Sequence, residues 1–118
     1  MLPNRMNLSK IVEEQLKRLK AQTGITPNVA ARIAFFKSIE SGHEFDANIE
    51  HRLDGTLVLD KITWLGKTQQ ATELLLKIRY PELESKKLQA AWSSHVEYGI
   101  ASLRNEKTLY SFGYRLLD

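Results

Sequence analysis

The chain contains no cysteine. Disulfides, thiolate metal sites, cysteine-ligated iron–sulfur clusters and a persulfide carried by the chain itself are therefore excluded. No apolar run is long enough to span a bilayer. The opening Met1-Leu2-Pro3-Asn4-Arg5 leads directly into polar sequence rather than into an apolar signal segment, so the expected location is the cytoplasm. There is no glycine-rich phosphate loop, no nucleophile elbow and no defensible Ser–His–Asp arrangement. His43, Glu44, Asp46, Glu50 and His51 gather imidazoles and carboxylates, but at a spacing that matches no metal site. Asp54, Asp60 and Lys61 have the residue types of a metal-dependent nuclease. Their second acid and lysine are adjacent, however, where one residue should separate them. His95 reads as a packed or surface histidine rather than a base. The expectation is a protein without catalytic residues, metal or cofactor.

What is present is a globular composition. Hydrophobic residues make up 42% of 118, enough for a single domain over residues 1–118 with a modest core. The net charge of +3 is unevenly placed. Residues 1–41 carry seven Lys/Arg against three Glu, residues 42–66 carry two against five acids, and the remainder has a small basic excess. A basic first third on a near-neutral chain suits a polyanion-facing surface, although a solvated helical face has the same composition.

Periodicity gives a mainly α fold: a compact helical domain with a short N-terminal strand or extended arm and an irregular middle loop. Residues 4–9 alternate, with Arg5, Asn7 and Ser9 on one side and Met6 and Leu8 on the other. A helix follows from about Ser9, with Val12, Leu16 and Leu19 as its apolar stripe and Glu13–Lys17 and Glu14–Arg18 as i,i+4 pairs. A second helix is predicted from Pro27 to Glu40, with Val29, Ile33 and Phe36 as one stripe and Ala30 and Ala34 beside it for close helix approach. Residues 42–66 form an acidic loop region with short extended pieces around Asp54-Gly55. Residues 67–79 are helical, with Ala71, Leu74, Leu75 and Ile78 inward and Glu73 paired outward with Lys77. A longer helix spans Leu83 to Leu103, where Gly99 marks close packing. The apolar tail Leu109 to Leu117 should dock on the core or on a neighbouring subunit.

The corner between the first two helices is the richest feature. Gly24 can adopt the left-handed conformation that closes a helix. Thr26 can cap the next one, and Pro27 fits its first position. Lys17, Arg18 and Lys20 precede the corner, beside a fresh helix N-terminus formed by Gly24, Thr26 and Asn28. That combination suits a phosphate. Basic residues near a helix end are also common in ordinary helical hairpins, so the corner alone leaves both readings open.

Residues 4–41 resemble a ribbon-helix-helix unit, which implies a strand that pairs with a second copy and presents Arg5, Asn7 and Ser9 to the major groove. A fuller resemblance covers the chain. Arg5-Met6-Asn7-Leu8-Ser9, Lys20-Ala21-Gln22-Thr23-Gly24-Ile25-Thr26-Pro27-Asn28, Ala31-Arg32-Ile33-Ala34, Gly55-Thr56-Leu57 and His95-Val96-Glu97-Tyr98-Gly99-Ile100 are similar to the DndE family of small DNA sulfur-modification proteins. The resemblance implies a non-catalytic subunit of bacterial DNA phosphorothioation. Its implied partners are double-stranded DNA, intact or nicked, the other phosphorothioation subunits, and further copies of the chain, a tetramer being one such assembly. Lys10, Lys17 and Lys20 are the leading candidate phosphate contacts, followed by Arg18 and Arg5. The alternatives are a protein–protein adaptor of the same complex and a ribbon-helix-helix transcriptional regulator.

Overall fold

The structure is a computed structural model that describes residues 1–103; the apolar tail lies outside the described residues. The fold is mainly α. In chain order it comprises β1 (Arg5–Met6), α1 (Lys10–Thr23), α2 (Pro27–Ser41), β2 (Leu59–Asp60), α3 (Lys61–Leu65), a 3-10 turn (Gly66–Thr68), α4 (Gln69–Arg79) and α5 (Ser85–Leu103).

The most extensive contact is α5 against α2. It is made close by small residues. Ala30, Ala31 and Ala34 are wholly buried on α2, and an added Cβ at Gly99 would collide with the Ala34 backbone. Ala34 and Gly99 thus mark where the two helix backbones pass closest, as the glycine inside the helical pattern suggests. The stripe expected on α2 is correspondingly turned. Val29 is exposed and Ile33 and Phe36 are half-buried, while Ala30, Ala31, Ala34, Phe35 and Ser38 face the core. Trp64 and Trp92 pack edge to face in the centre, and Trp64 Nε1 donates to Met6 O at 2.8 Å.

Two further faces differ from expectation. On α4, Thr72, Glu73 and Leu76 are buried, and Ala71, Leu74 and Ile78 are exposed. Glu73 turns inward because it accepts from Leu2 N and pairs with Lys61 Nζ at 3.3 Å; Lys77 pairs with Glu84 instead. In the middle region, Lys61–Leu65 is helical where extended pieces were expected. Arg32 explains its end: Nε donates to Trp64 O and Nη2 to Thr63 O, closing the last turn of α3.

The N-terminal strand forms, but its partner lies within the chain. β1 pairs antiparallel with β2, with Arg5 opposite Asp60 and Met6 opposite Leu59. The carbonyls of Met6 and Asn7 accept from Trp64 Nε1 and Gln89 Nε2. This is strand, helix, helix in order, with the strand paired inside the chain rather than with a second copy.

One polar cluster is sealed inside. His95 is fully buried, with Nδ1 2.8 Å from Ser38 Oγ and Nε2 2.8 Å from Tyr80 Oη. Burial, then the nearby His43 and Arg79, push its pKa down to about 4 from 6.5. The folded state therefore holds a neutral imidazole, while the unfolded chain takes up a proton below 6.5. This contribution to stability is complete above pH 6.5 and is lost as pH falls towards 4, by about 3 kcal/mol in all. Urea unfolding at pH 7.5, 5.5 and 4.5 should show the decline. The His95→Gln variant should be less stable at pH 7.5 and show a flatter slope above the carboxylate range, the remainder there coming from His43, whose pKa burial also lowers. An unchanged slope in that variant would assign the pH dependence to other groups.

Candidate nucleic-acid interface

The corner is built by local chemistry. Gly24 closes α1 with φ of 80°, and its N–H donates to Lys20 O at 2.7 Å. Thr23 Oγ1 donates to Leu19 O and accepts from Ile25 N, which fixes the chain as it leaves the helix. Thr26 occupies the extended cap position of α2 and Pro27 its first turn, but the Thr26 side chain makes no cap bond, and no other side chain among the described residues caps the start of α2. The start of α1 contrasts with it. There Ser9 Oγ accepts from Val12 N, and Asp54 Oδ1 accepts from Lys10 N at 2.8 Å. Of the two helix starts in the basic third, the one at the corner keeps its first N–H groups free of a side-chain acceptor among the described residues. The expected cap by Thr26 does not form. Asn28 is turned away from the helix start as well, since its Nδ2 donates to Thr63 O at 3.2 Å.

The candidate cations divide into three groups. Lys10, Arg18 and Lys20 are exposed on α1, and their side chains make no ion pair among the described residues. Lys17 is exposed but lies 3.6 Å from Glu13 Oε2, the expected i,i+4 pair. Glu14 and Arg18 do not close to ion-pair distance. Arg5 is tied down, with Nη1 3.1 Å from Asp60 Oδ1 and Nη2 donating to Val58 O.

Glu13 governs the field around Lys17. Burial opposes its charge. Hydrogen bonds from the Leu57 and Thr56 backbone, the Lys17 ammonium and the Thr56 hydroxyl outweigh that, and its pKa lies below the usual carboxylate range. It is thus a fixed anion, 5% exposed, with its oxygens turned to the 56–57 segment. Lys17 keeps its own ammonium outward, where a phosphate can share it.

The three side chains expected to read bases are all engaged. Arg5 bonds to Asp60 and Val58. Asn7 Nδ2 donates to Leu53 O and Gly55 O, and Ser9 caps α1. The acidic middle segment is what occupies Arg5 and Asn7. Its Asp54 and Asp60 fold back onto the basic third, a contact across more than forty residues that periodicity does not report.

Among the described residues, no three His, Asp or Glu side chains converge on a common point, and no helix is long and apolar enough to cross a membrane.

Comparisons with known proteins agree in one direction. No curated protein sequence matches. The family model for the DNA sulphur modification protein DndE matches residues 5–111. A crystal structure of DndE from Escherichia coli B7A, described as involved in DNA phosphorothioation modification, is 64% identical, with a TM-score of 0.83 over 87% of this chain and 99% of that one. A DndE G21/24K mutant, described as involved in DNA phosphorothioation, is 62% identical over the same shares, also with a TM-score of 0.83. A sequence match over most of the chain and a shared fold at this identity lead to one conclusion: the chain belongs to the DndE family.

Proposed function

We propose that the chain is a non-catalytic accessory subunit of DNA phosphorothioation that holds duplex DNA, intact or nicked, through backbone phosphates at the α1–α2 corner. The observation that carries this reading is the corner itself. Arg18 and Lys20 near the end of α1, and Lys10 at its start, are cations without ion-pair partners among the described residues, and α1 ends beside a helix start that no side chain among those residues caps. Phosphate oxygens are the acceptors both features lack. The engagement of Arg5 and Asn7 within the chain favours backbone contact over base reading. The absence of cysteine leaves the sulfur to another subunit. Self-association, up to a tetramer, would sum a modest patch into a useful one, because each neutralised phosphate adds to affinity.

The test is a salt titration. Affinity for unrelated duplexes of equal length, intact and nicked, should fall linearly in log–log form with added salt and differ little between sequences. Binding that ignores salt, or that discriminates sharply between sequences, would remove the reading.

A second reading, an adaptor without DNA contact, is favoured by one observation: Leu74 and Ile78 on α4 are 61% and 67% exposed. An outward apolar stripe suits a protein partner. In that case complex formation would survive high salt and duplex binding would be absent.

A further inference from the structure

Between the 45–53 loop and the start of α5 lies an open cavity of about 680 Å³, within the range of small-molecule sites. It shares no residue with the corner. From it we infer that the protein carries a nucleotide-binding site: a phosphate held by Lys86 and Lys87, and a base lodged against Phe45 and His51 with an N–H turned to Gln89 Oε1.

Three independent features point to that ligand. The first is charge. Lys86 and Lys87 lie in the first turn of α5, which has no acidic residue. Cations there oppose the helix dipole, an arrangement an anion between them would relieve. Lys86 makes no ion pair among the described residues, and Lys87 Nζ makes only a long 3.4 Å bond to Ala47 O. Among the described residues, Glu50 is the single acid lining the cavity.

The second feature is an open acceptor. Gln89 is 4% exposed, and its amide nitrogen donates to both Asn7 O and Asn7 Oδ1. Asn7 is itself held by Leu53 and Gly55 carbonyls, so the amide cannot rotate without breaking the set. Gln89 Oε1 is left with no donor among the described residues, and it is not one of the fully sealed polar atoms. The small exposed part of Gln89 lines the cavity. A bare phosphate has nothing to offer an amide oxygen; a base N–H does.

The third feature is a ring surface. Phe45, 8% exposed, packs against the half-buried His51 at 4.7 Å between centroids, and both line the cavity, so the ring more open to a base is that of His51. Aromatic faces beside cations are how nucleotides are held without reading their sequence. A free nucleotide and an unpaired nucleotide at a DNA strand end offer the same chemistry.

Calorimetric titration with each deoxynucleoside 5′-monophosphate, with deoxyadenosine and with inorganic phosphate tests the site. At least one monophosphate should bind more tightly than either fragment. Lys86→Glu/Lys87→Glu should weaken it by about tenfold or more, both residues being exposed and their loss compatible with folding. Lys17→Glu/Lys20→Glu should leave it unchanged, so failure here and failure of the corner reading are separable. A duplex with a one-nucleotide overhang that displaces the monophosphate assigns the site to strand ends; one that does not assigns it to free nucleotides. Absence of heat with every monophosphate, phosphate binding as tight as nucleotide binding, or indifference to the Lys86/Lys87 change would overturn the inference.

Discussion

Gly99→Ala is expected to destabilise the protein, and Gly99→Val to do so by several kcal/mol. In an exposed helix interior, replacing glycine by alanine stabilises by about 1 kcal/mol. Here the sign reverses, because the added methyl meets the Ala34 carbonyl and Cα, which are backbone atoms of the facing helix and cannot swing aside. Relief requires α2 and α5 to separate. That loosens the packing of Ala30, Ala31, Phe35, Trp92, Val96 and Ile100, all nearly or wholly buried. Overpacking of this kind costs about 1–3 kcal/mol and more when only backbone can yield. Urea unfolding of the two variants measures it directly. A Gly99→Ala protein more stable than the parent would show that the helices do not approach this closely, and the packing account of the fold would be wrong.

Gly99 and the corner were legible in the sequence for a shared reason. Gly24, Pro27 and a glycine inside a helical pattern act through local backbone rules, which need no knowledge of distant partners. The face of α4 was not legible, and that of α2 only in part. Seeking the most apolar stripe selects Val29, Ile33 and Phe36; Ala30 and Ala34 beside it were legible as a close-approach surface, and Gly99 lets α5 come so near that those alanines are the inward face. On α4 the inward position of Glu73 depends on Leu2 N and Lys61, one of them seventy-one residues away. The same limit applies to Glu13, which accepts from residues 56 and 57, to Arg5, held by Val58 and Asp60, and to Asn7, held by Leu53, Gly55 and Gln89. Alternation located the strand correctly and left its partner unspecified. Lys86 and Lys87 did leave a signal, two cations opening a helix, but only the cavity beside them gives it meaning.

The division among the cations refines which substitutions matter. Arg5 is fixed by Asp60 and Val58, so losing it should change duplex binding little. Its exposed ion pair is worth about 1 kcal/mol or less to stability. Lys20 and Lys17 flank the end of α1, three residues apart on its surface. Lys17 is partly neutralised by Glu13, and reversing its charge also places a second carboxylate beside a buried one. On the proposed reading, the exchange at Lys17 would remove a phosphate contact and add repulsion from Glu13, so the double reversal should weaken duplex binding strongly. The buried stripe of Val12, Leu16 and Leu19 is untouched by it.

The corner reading is tested most directly by duplex affinity as a function of salt for the wild type and for Lys17→Glu/Lys20→Glu, with circular dichroism and oligomer mass as controls. The account predicts a folded, equally assembled variant whose affinity is reduced at every salt concentration and whose log–log salt slope is flatter by about two units. A variant that stays folded and assembled yet binds duplex as tightly as the wild type, with the same slope, would contradict it and reduce the corner to a structural turn.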